Sequence, residues 1–290
     1  YHPVIMARND GGSTANTSPL ITVNLPVPPA VQVDATSTGT SANGNISISH
    51  TTSGTNRLML VGVSINLSAT GGTDSVGSIT YNGAPLSLVG VSVNGDARVE
   101  IWKLVNPDVG TFNVDIVMSG VPSDGNTAGV MTFTGVDQTT PLGAFASGNG
   151  ASGGSGSATV SSAVNELVFG TISVDDDADY DLVPGGAQAE RWDLKAGGIN
   201  GGGSTAAGAA SVVMSWTWSG SDSWAVGGVS IKPAPAGPVT SLTLPSWTPQ
   251  SNELLLVGIS MRDETIVPSV SGNGLTWTLV ADRDNDRGEM

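Results

Sequence analysis

The stretch Asn56 to Ile65, NRLMLVGVSI, decides how the rest of the chain is read. It sets a polar pair ahead of a short apolar run rich in Val, Ile and Leu. A run of this length fits a helix segment on periodicity alone, but its β-branched content and the Gly, Ser and Thr around it favour a buried strand. The pattern returns twice, as NELVFGTISV at Asn165 to Val174 and as NELLLVGISM at Asn252 to Met261. Three such strands are expected at the centres of three sheet-forming units.

Working outward, NISISH (Asn45 to His50) precedes the first signature strand, and ITYNGAP (Ile79 to Pro85) follows it with Asn-Gly between two β-rich runs, a strong short hairpin signal. LSLVGVSV (Leu86 to Val93), a second turn at Asn94 to Asp96, ARVEIWKLV (Ala97 to Val105), TFNVDIVMSG and AGVMTFTGV continue as strands. GNGASGGSGSAT (Gly148 to Thr159) reads as a flexible loop. After the second signature strand come an acidic run, QAERWDL, a second Gly-rich loop AGGINGGGSTAAGAA, and two closing strands, SVVMSWTWSG and WAVGGVSIKP. The last matches AGVMTFTGV in place and pattern, so residues 43 to 145 and 156 to 233 are expected to form a duplicated, pseudo-symmetric pair.

The organisation is therefore an extended amino-terminal arm over residues 1–30, a β-sandwich module over 31–233, a Pro-rich linker over 234–238 and an incomplete second module over 239–290. The arm carries one alternating strand over 20–27, with Ile21, Val23, Leu25 and Val27 on one side and Pro26, Pro28 and Pro29 ending it. Asn273-Gly274 with Trp277, Leu279 and Val280 corresponds to Asn82-Gly83 with Leu86, Leu88 and Val89, and the chain stops before the counterpart of VEIWKLV. Half a sandwich leaves open strand edges, which further chain or a neighbour must cover. The expected fold class is all-β: an antiparallel, jelly-roll-type β-sandwich, pseudo-duplicated and followed by the start of a second similar module.

The runs SHTTSGTNRLMLVGVSI, FTGVDQTTPLG, NELVFGTISV and SWAVGGVSIKP together resemble the jelly-roll or laminin-G-like repeat found in tandem in large secreted bacterial and archaeal surface proteins. The resemblance covers roughly residues 43 to 233 and, in its front part, 239 to 290. It implies a β-sandwich architecture in an extracellular or cell-surface, structural or adhesive setting, and it carries over no active site.

Composition narrows the partners. With 12% charged residues and 40 glycines the chain suits short strands joined by small-residue turns, and 39% hydrophobic residues suffice for a core. A net charge of -15 repels phosphate backbones and anionic lipid, so nucleic acid is a poor partner. No apolar stretch reaches the roughly 18 residues that point to a membrane span, so membrane insertion is not expected. There are no cysteines, which removes disulfides and thiolate chemistry.

Candidate chemistry is sparse. The run VDDDADYD sets Asp175, Asp177, Asp179 and Asp181 at alternate positions, where carboxylates and loop carbonyls can take calcium; the competing reading is a solvated strand end. Met214, Trp216 and Trp218 share one strand face and Trp102 lies in register with Leu104, so all four read as core, leaving Trp192 and Trp224 as the candidate glycan contacts. His2 and His50 each lack a second histidine nearby, and Glu100 and Glu190 are the carboxylates one would nominate for glycoside hydrolysis, without the expected strand motif around either. Asn16, Asn45 and Asn66 open Asn-x-Ser/Thr triplets. The expectation is a non-enzymatic extracellular structural protein, a subunit or repeat of a surface filament or adhesin. It would need no cofactor and would assemble with itself, head to tail, through the strand of Ile21 to Val27, or with further repeats. The alternative is a carbohydrate-binding module whose partner is a polysaccharide.

Overall fold

A computed structural model describes residues 30–67, 74–120 and 124–235. These belong to one compact unit, Pro26–Pro238. The strand over 20–27, the third signature strand at 252–261, the Asn273-Gly274 turn and the rest of the 239–290 module lie outside the described residues, as do His2 and Asn16.

Seventeen strands, all paired antiparallel, account for the regular structure of the described residues, and no helical residue is found among them. The first nine are β1 (Gln32–Ser41), β2 (Ile46–Thr52), β3 (Leu58–Asn66), β4 (Val76–Tyr81), β5 (Ala84–Pro85), β6 (Ser87–Asn94), β7 (Ala97–Val105), β8 (Gly110–Met118) and β9 (Asn126–Thr134). They build a five-stranded sheet of order β1-β9-β3-β7-β6 and a four-stranded sheet of order β2-β8-β4-β5. The remainder are β10 (Ala146–Gly150), β11 (Ser155–Ser161), β12 (Leu167–Asp175), β13 (Val183–Pro184), β14 (Gln188–Ala196), β15 (Ile199–Ala207), β16 (Ser211–Thr217) and β17 (Trp224–Ile231). Their orders, β10-β17-β12-β15-β14 and β11-β16-β13, repeat those of the first half strand for strand, apart from the short strand β5. One irregularity repeats as well: β6 bulges against β7 between Leu88 and Gly90, and β14 bulges against β15 between Glu190 and Trp192.

Three apolar layers hold four sheets together. Met59, Val61, Val63 and Ile65 of β3 meet Ile46, Ile48, Val114 and Ile116 inside the amino-terminal half. The other face of β3, through Leu58 and Leu60, meets Phe169, Val229 and Ile231 of the second half. Ile172, Val174, Trp216 and Val226 fill one part of the carboxy-terminal half, and Val160, Val168 and Met214 another. The two five-stranded sheets thus lie back to back at the centre, covered on both faces. This is why the signature run has almost no polar alternation: all nine residues of β3 are buried, as are seven of nine in β12. The outer strand β2 is covered on one face only and alternates strictly, with Ile46, Ile48, His50 and Thr52 inside.

The Asn82-Gly83 hairpin is present, and both turn residues have positive φ, 47° and 78°. Two readings are corrected. GNGASGGSGSAT is largely strand, contributing to β10 and β11, and the second half begins at β10 rather than at residue 156. AGGINGGGSTAAGAA is not a loop either, since Ile199–Ala207 forms β15, with eight of its nine residues buried. The glycines answer a packing demand. A Cβ on Gly203 would sit 2.2 Å from the Trp192 ring, and one on Gly156 would sit 2.6 Å from Trp224. Bare backbone is what lets an indole lie flat on the sheet.

Candidate functional site

The polar chemistry gathers in three places. The first is inside the amino-terminal half. Alternation along β2 turns His50 inward with Ile46 and Ile48, leaving it 1% exposed. The ring bridges three strands: Nδ1 lies 3.0 Å from the Ser37 hydroxyl of β1, and Nε2 lies 3.1 Å from the Thr132 hydroxyl of β9. Thr132 in turn donates to Asp34 Oδ2 at 2.9 Å. Its proton being committed there, Thr132 accepts from Nε2–H, which fixes the tautomer and leaves Nδ1 to accept from Ser37. Asp34 occupies the bulge of β1 between Val33 and Ala35, and also accepts from the amide and hydroxyl of Ser53. Burial pulls the His50 pKa below its ordinary value against the attraction of Asp34. Burial pushes Asp34 up, but the Ser53 and Thr132 hydrogen bonds outweigh it and the net shift is downward.

Glu100 is another titratable side chain in the interior, 1% exposed. It accepts from Arg98 Nε at 2.7 Å, Trp102 Nε1 at 2.8 Å and the Val76 amide at 3.2 Å. Its donors are the buried Val76 amide and the partly buried side chains of Arg98 and Trp102, so it works as a brace between β7 and β4. Glu190 is exposed on β14, and the structure does not pair the two carboxylates in one site.

The third place is the polar end of the seam between the halves. Asn66 and Asp175 end β3 and β12, the same position in two nine-residue strands, and Asn66 Nδ2 donates to Asp175 Oδ1 at 3.0 Å. Asp175 Oδ2 accepts from Ser223 at 3.3 Å. Burial, reinforced by the charges of Asp96 and Asp222, holds Asp175 above the ordinary carboxylate range. Beyond it the acidic run leaves the strand, so alternation no longer sorts its side chains by face. Asp177, Asp179 and Asp181 are exposed and are not brought together with Asp175. It is Asp176 that meets Asp222, with the Tyr180 hydroxyl donating to Asp222 Oδ2 at 2.9 Å. The loop carbonyls of Asp176 and Ala178 are already taken, both by the Lys195 ammonium and by Asn200 Nδ2. Lys195 thus sets its positive charge against these two loop carbonyls. Among the described residues no group of three or more His, Cys, Asp or Glu side chains is arranged to hold a metal ion.

The nominated aromatic contacts separate. Trp192 is 5% exposed, packed between the halves against Gly129 and Gly203, so it is a core residue and not a glycan contact. Trp224 is half-buried against Gly150 and Gly156. Met214, Trp216 and Trp218 are buried as expected, and Trp102 is partly buried against the first core. Asn66 is 6% exposed with its amide engaged, which closes it to glycosylation in the folded protein, whereas Asn45 is exposed. Sequence reading missed the His50 relay, although the alternation of NISISH already set His50 on the inward face. Comparison of the chain with protein-family models, with curated proteins and with solved structures found no match.

Proposed function

We propose that the chain is an extracellular structural protein, a subunit or repeat of a surface filament or adhesin built on jelly-roll-type sandwiches. The observation that carries this reading is the continuous apolar seam, with Leu58, Leu60, Phe133, Phe169, Trp192 and Ile231 buried in one cluster, which makes two sandwiches into a single stiff block without a disulfide. The use of the buried His50 and Glu100 for internal hydrogen bonds supports it, because both serve the frame. The outer faces are hydroxyl-rich, with Ser155, Ser157, Thr159 and Ser161 of β11 exposed, as suits a protein that meets water on both sides. Assembly head to tail by addition of the strand Ile21 to Val27 belongs to the same proposal.

The test is the assembly state of the full chain, by light scattering and electron microscopy, beside a form lacking residues 1–27. Assembly that disappears with the deletion and returns with a peptide spanning Ser18 to Pro28 supports strand addition. A full chain that stays monomeric at every concentration sinks the filament reading. The second reading, a carbohydrate-binding module, rests on Trp224 alone, the one nominated indole that keeps an accessible face. Saturable binding to an insoluble polysaccharide that is lost in Trp224→Ala would favour it.

A further inference from the structure

We propose that the relay through His50 is an acid-released latch on β1: at neutral pH it ties β1 to β2 and β9, and on acidification β1 lets go while the carboxy-terminal half stays closed. This stands independently of the proposed filament role.

The weakness of β1 is the first argument. It is an edge strand, paired with β9 along one side only. None of its ten residues is buried, and Val33 is its one large apolar side chain. Where β1 meets the β2 side chains it does so through Gly39, whose missing Cβ would sit 2.7 Å from Ile48. Beyond the ladder to β9 and the packing of half-buried Val33 against the central apolar cluster, the polar relay is what fixes this strand.

The second argument is that the relay is complete only around a neutral imidazole. Nε2–H faces a hydroxyl whose own proton goes to Asp34, and the Nδ1 lone pair receives the Ser37 proton. Adding a proton at Nδ1 forces the Ser37 hydroxyl to turn away and sets a charge on a ring 1% exposed. The titratable groups meeting the ring are Asp34 of β1, one hydroxyl away, and Tyr81 of β4, edge-on at 6.5 Å with its hydroxyl donating to the Gly110 carbonyl. From β8 the ring faces Phe112, and from β9 Thr132. Attraction from Asp34 is too small to offset burial, so His50 binds its proton less readily folded than unfolded. The unfolded chain therefore holds more protons in this window, and the stability contributed by His50 is present above its ordinary value of 6.5 and lost as pH falls below it.

The third argument is that the second half has no counterpart. Registers place Ser230 of β17 where β9 has Thr132, and the Ser230 hydroxyl packs instead on Gly143. β10 has five residues against ten in β1.

Hydrogen exchange of the full chain, read by mass spectrometry at pH 7.5 and 5.0 and corrected for intrinsic rates, tests the latch. Peptides covering β1 and β2 should exchange about tenfold faster at the lower pH for each unit by which the His50 pKa is displaced, while peptides from β12 to β17 do not. His50→Gln, whose amide can still donate to Thr132 but cannot titrate, should flatten the difference. Should that variant not fold, the imidazole proton resonance of His50 in the native chain, one of two histidines, replaces it. Its midpoint must lie below 6.5 and coincide with the loss of β1 protection. Protection of β1 unchanged between the two pH values, equal pH dependence in His50→Gln, or a His50 midpoint at or above 6.5 would each overturn the proposal.

Discussion

The two halves share a strand order and differ in what fills them. The amino-terminal interior is organised by polar groups: the His50 relay and Glu100 with its three donors. The carboxy-terminal interior is organised by rings on bare backbone. Opposite the central strand, the position of Glu100 in the first half is Gly202 in the second, and the Trp216 ring lies within 3.1 Å of where a Gly202 Cβ would be. The indole nitrogens of Trp216 and Trp218 are buried without a hydrogen-bond partner, whereas Trp102 in the first half donates to Glu100. The strand order thus does not depend on a particular filling. What the halves have in common is the doubly covered central strand and its two neighbours, and that is where the fold is specified.

This contrast can be broken most forcefully at the seam both halves share. Trp192→Ala should cost about 3–5 kcal/mol of unfolding free energy in urea titration, because the lost ring packs on Gly129 of one half and Gly203 of the other. If the halves unfold separately in that variant, the seam is what makes them cooperative. Glu100→Ala should cost about 3 kcal/mol, by emptying a buried site and leaving partly buried Arg98 and the Trp102 N–H without their acceptor. Hydrogen exchange of Glu100→Ala should show the loss of protection concentrated in the first half, and a loss spread equally over both would show the interiors to be less independent than their fillings suggest.

Glycine substitutions separate packing from flexibility. Gly203→Ala should lose about 1–3 kcal/mol, since Trp192 is held from both sides, while Gly156→Ala should lose less, because half-exposed Trp224 can swing outward. Equal losses would contradict the account of these glycines as seats for rings. The smallest effect concerns pH. Burial raises Asp193 to about 6, with Glu190, Asp181 and Asp179 adding to the rise. A carboxyl raised on folding stabilises while protonated, and that contribution fades as pH climbs through about 6. Melting temperatures between pH 5 and 7.5 should therefore favour the acid side less in Asp193→Asn than in the native chain, opposite in sign to the change expected for His50→Gln.

The all-β class, the first two signature strands and the Asn82-Gly83 hairpin were legible in the sequence, because burial on both faces writes itself as an unbroken apolar run and a positive-φ turn as Asn-Gly. The β15 strand was not. Gly202 and Gly203 are required by the rings of Trp216 and Trp192 and Gly201 by the side chains of Thr127 and Ser64, and nothing within INGGGSTAA records those partners. Nor could the fate of the acidic run be read. Alternation assumes a strand, and β12 ends at Asp175, so the residue that finds Asp222 is Asp176 and not one of the alternating set. His50 was half legible: its face followed from NISISH, but Asp34 reaches it only through the β1 bulge.

The seam also bears on descent. Residues at equivalent places in β3 and β12 touch one another: Gly62 faces Thr171, with Thr171 Cβ 3.0 Å from where a Gly62 Cβ would be, and Asn66 bonds Asp175. A dimer of identical ancestors would have set like against like on its symmetry axis, two glycines with a gap or two threonines in collision, and two amides or two repelling acids. Two halves within one chain are free of that restriction. At these positions the two halves are complementary where identical copies could not be, so neither could stand in for the other.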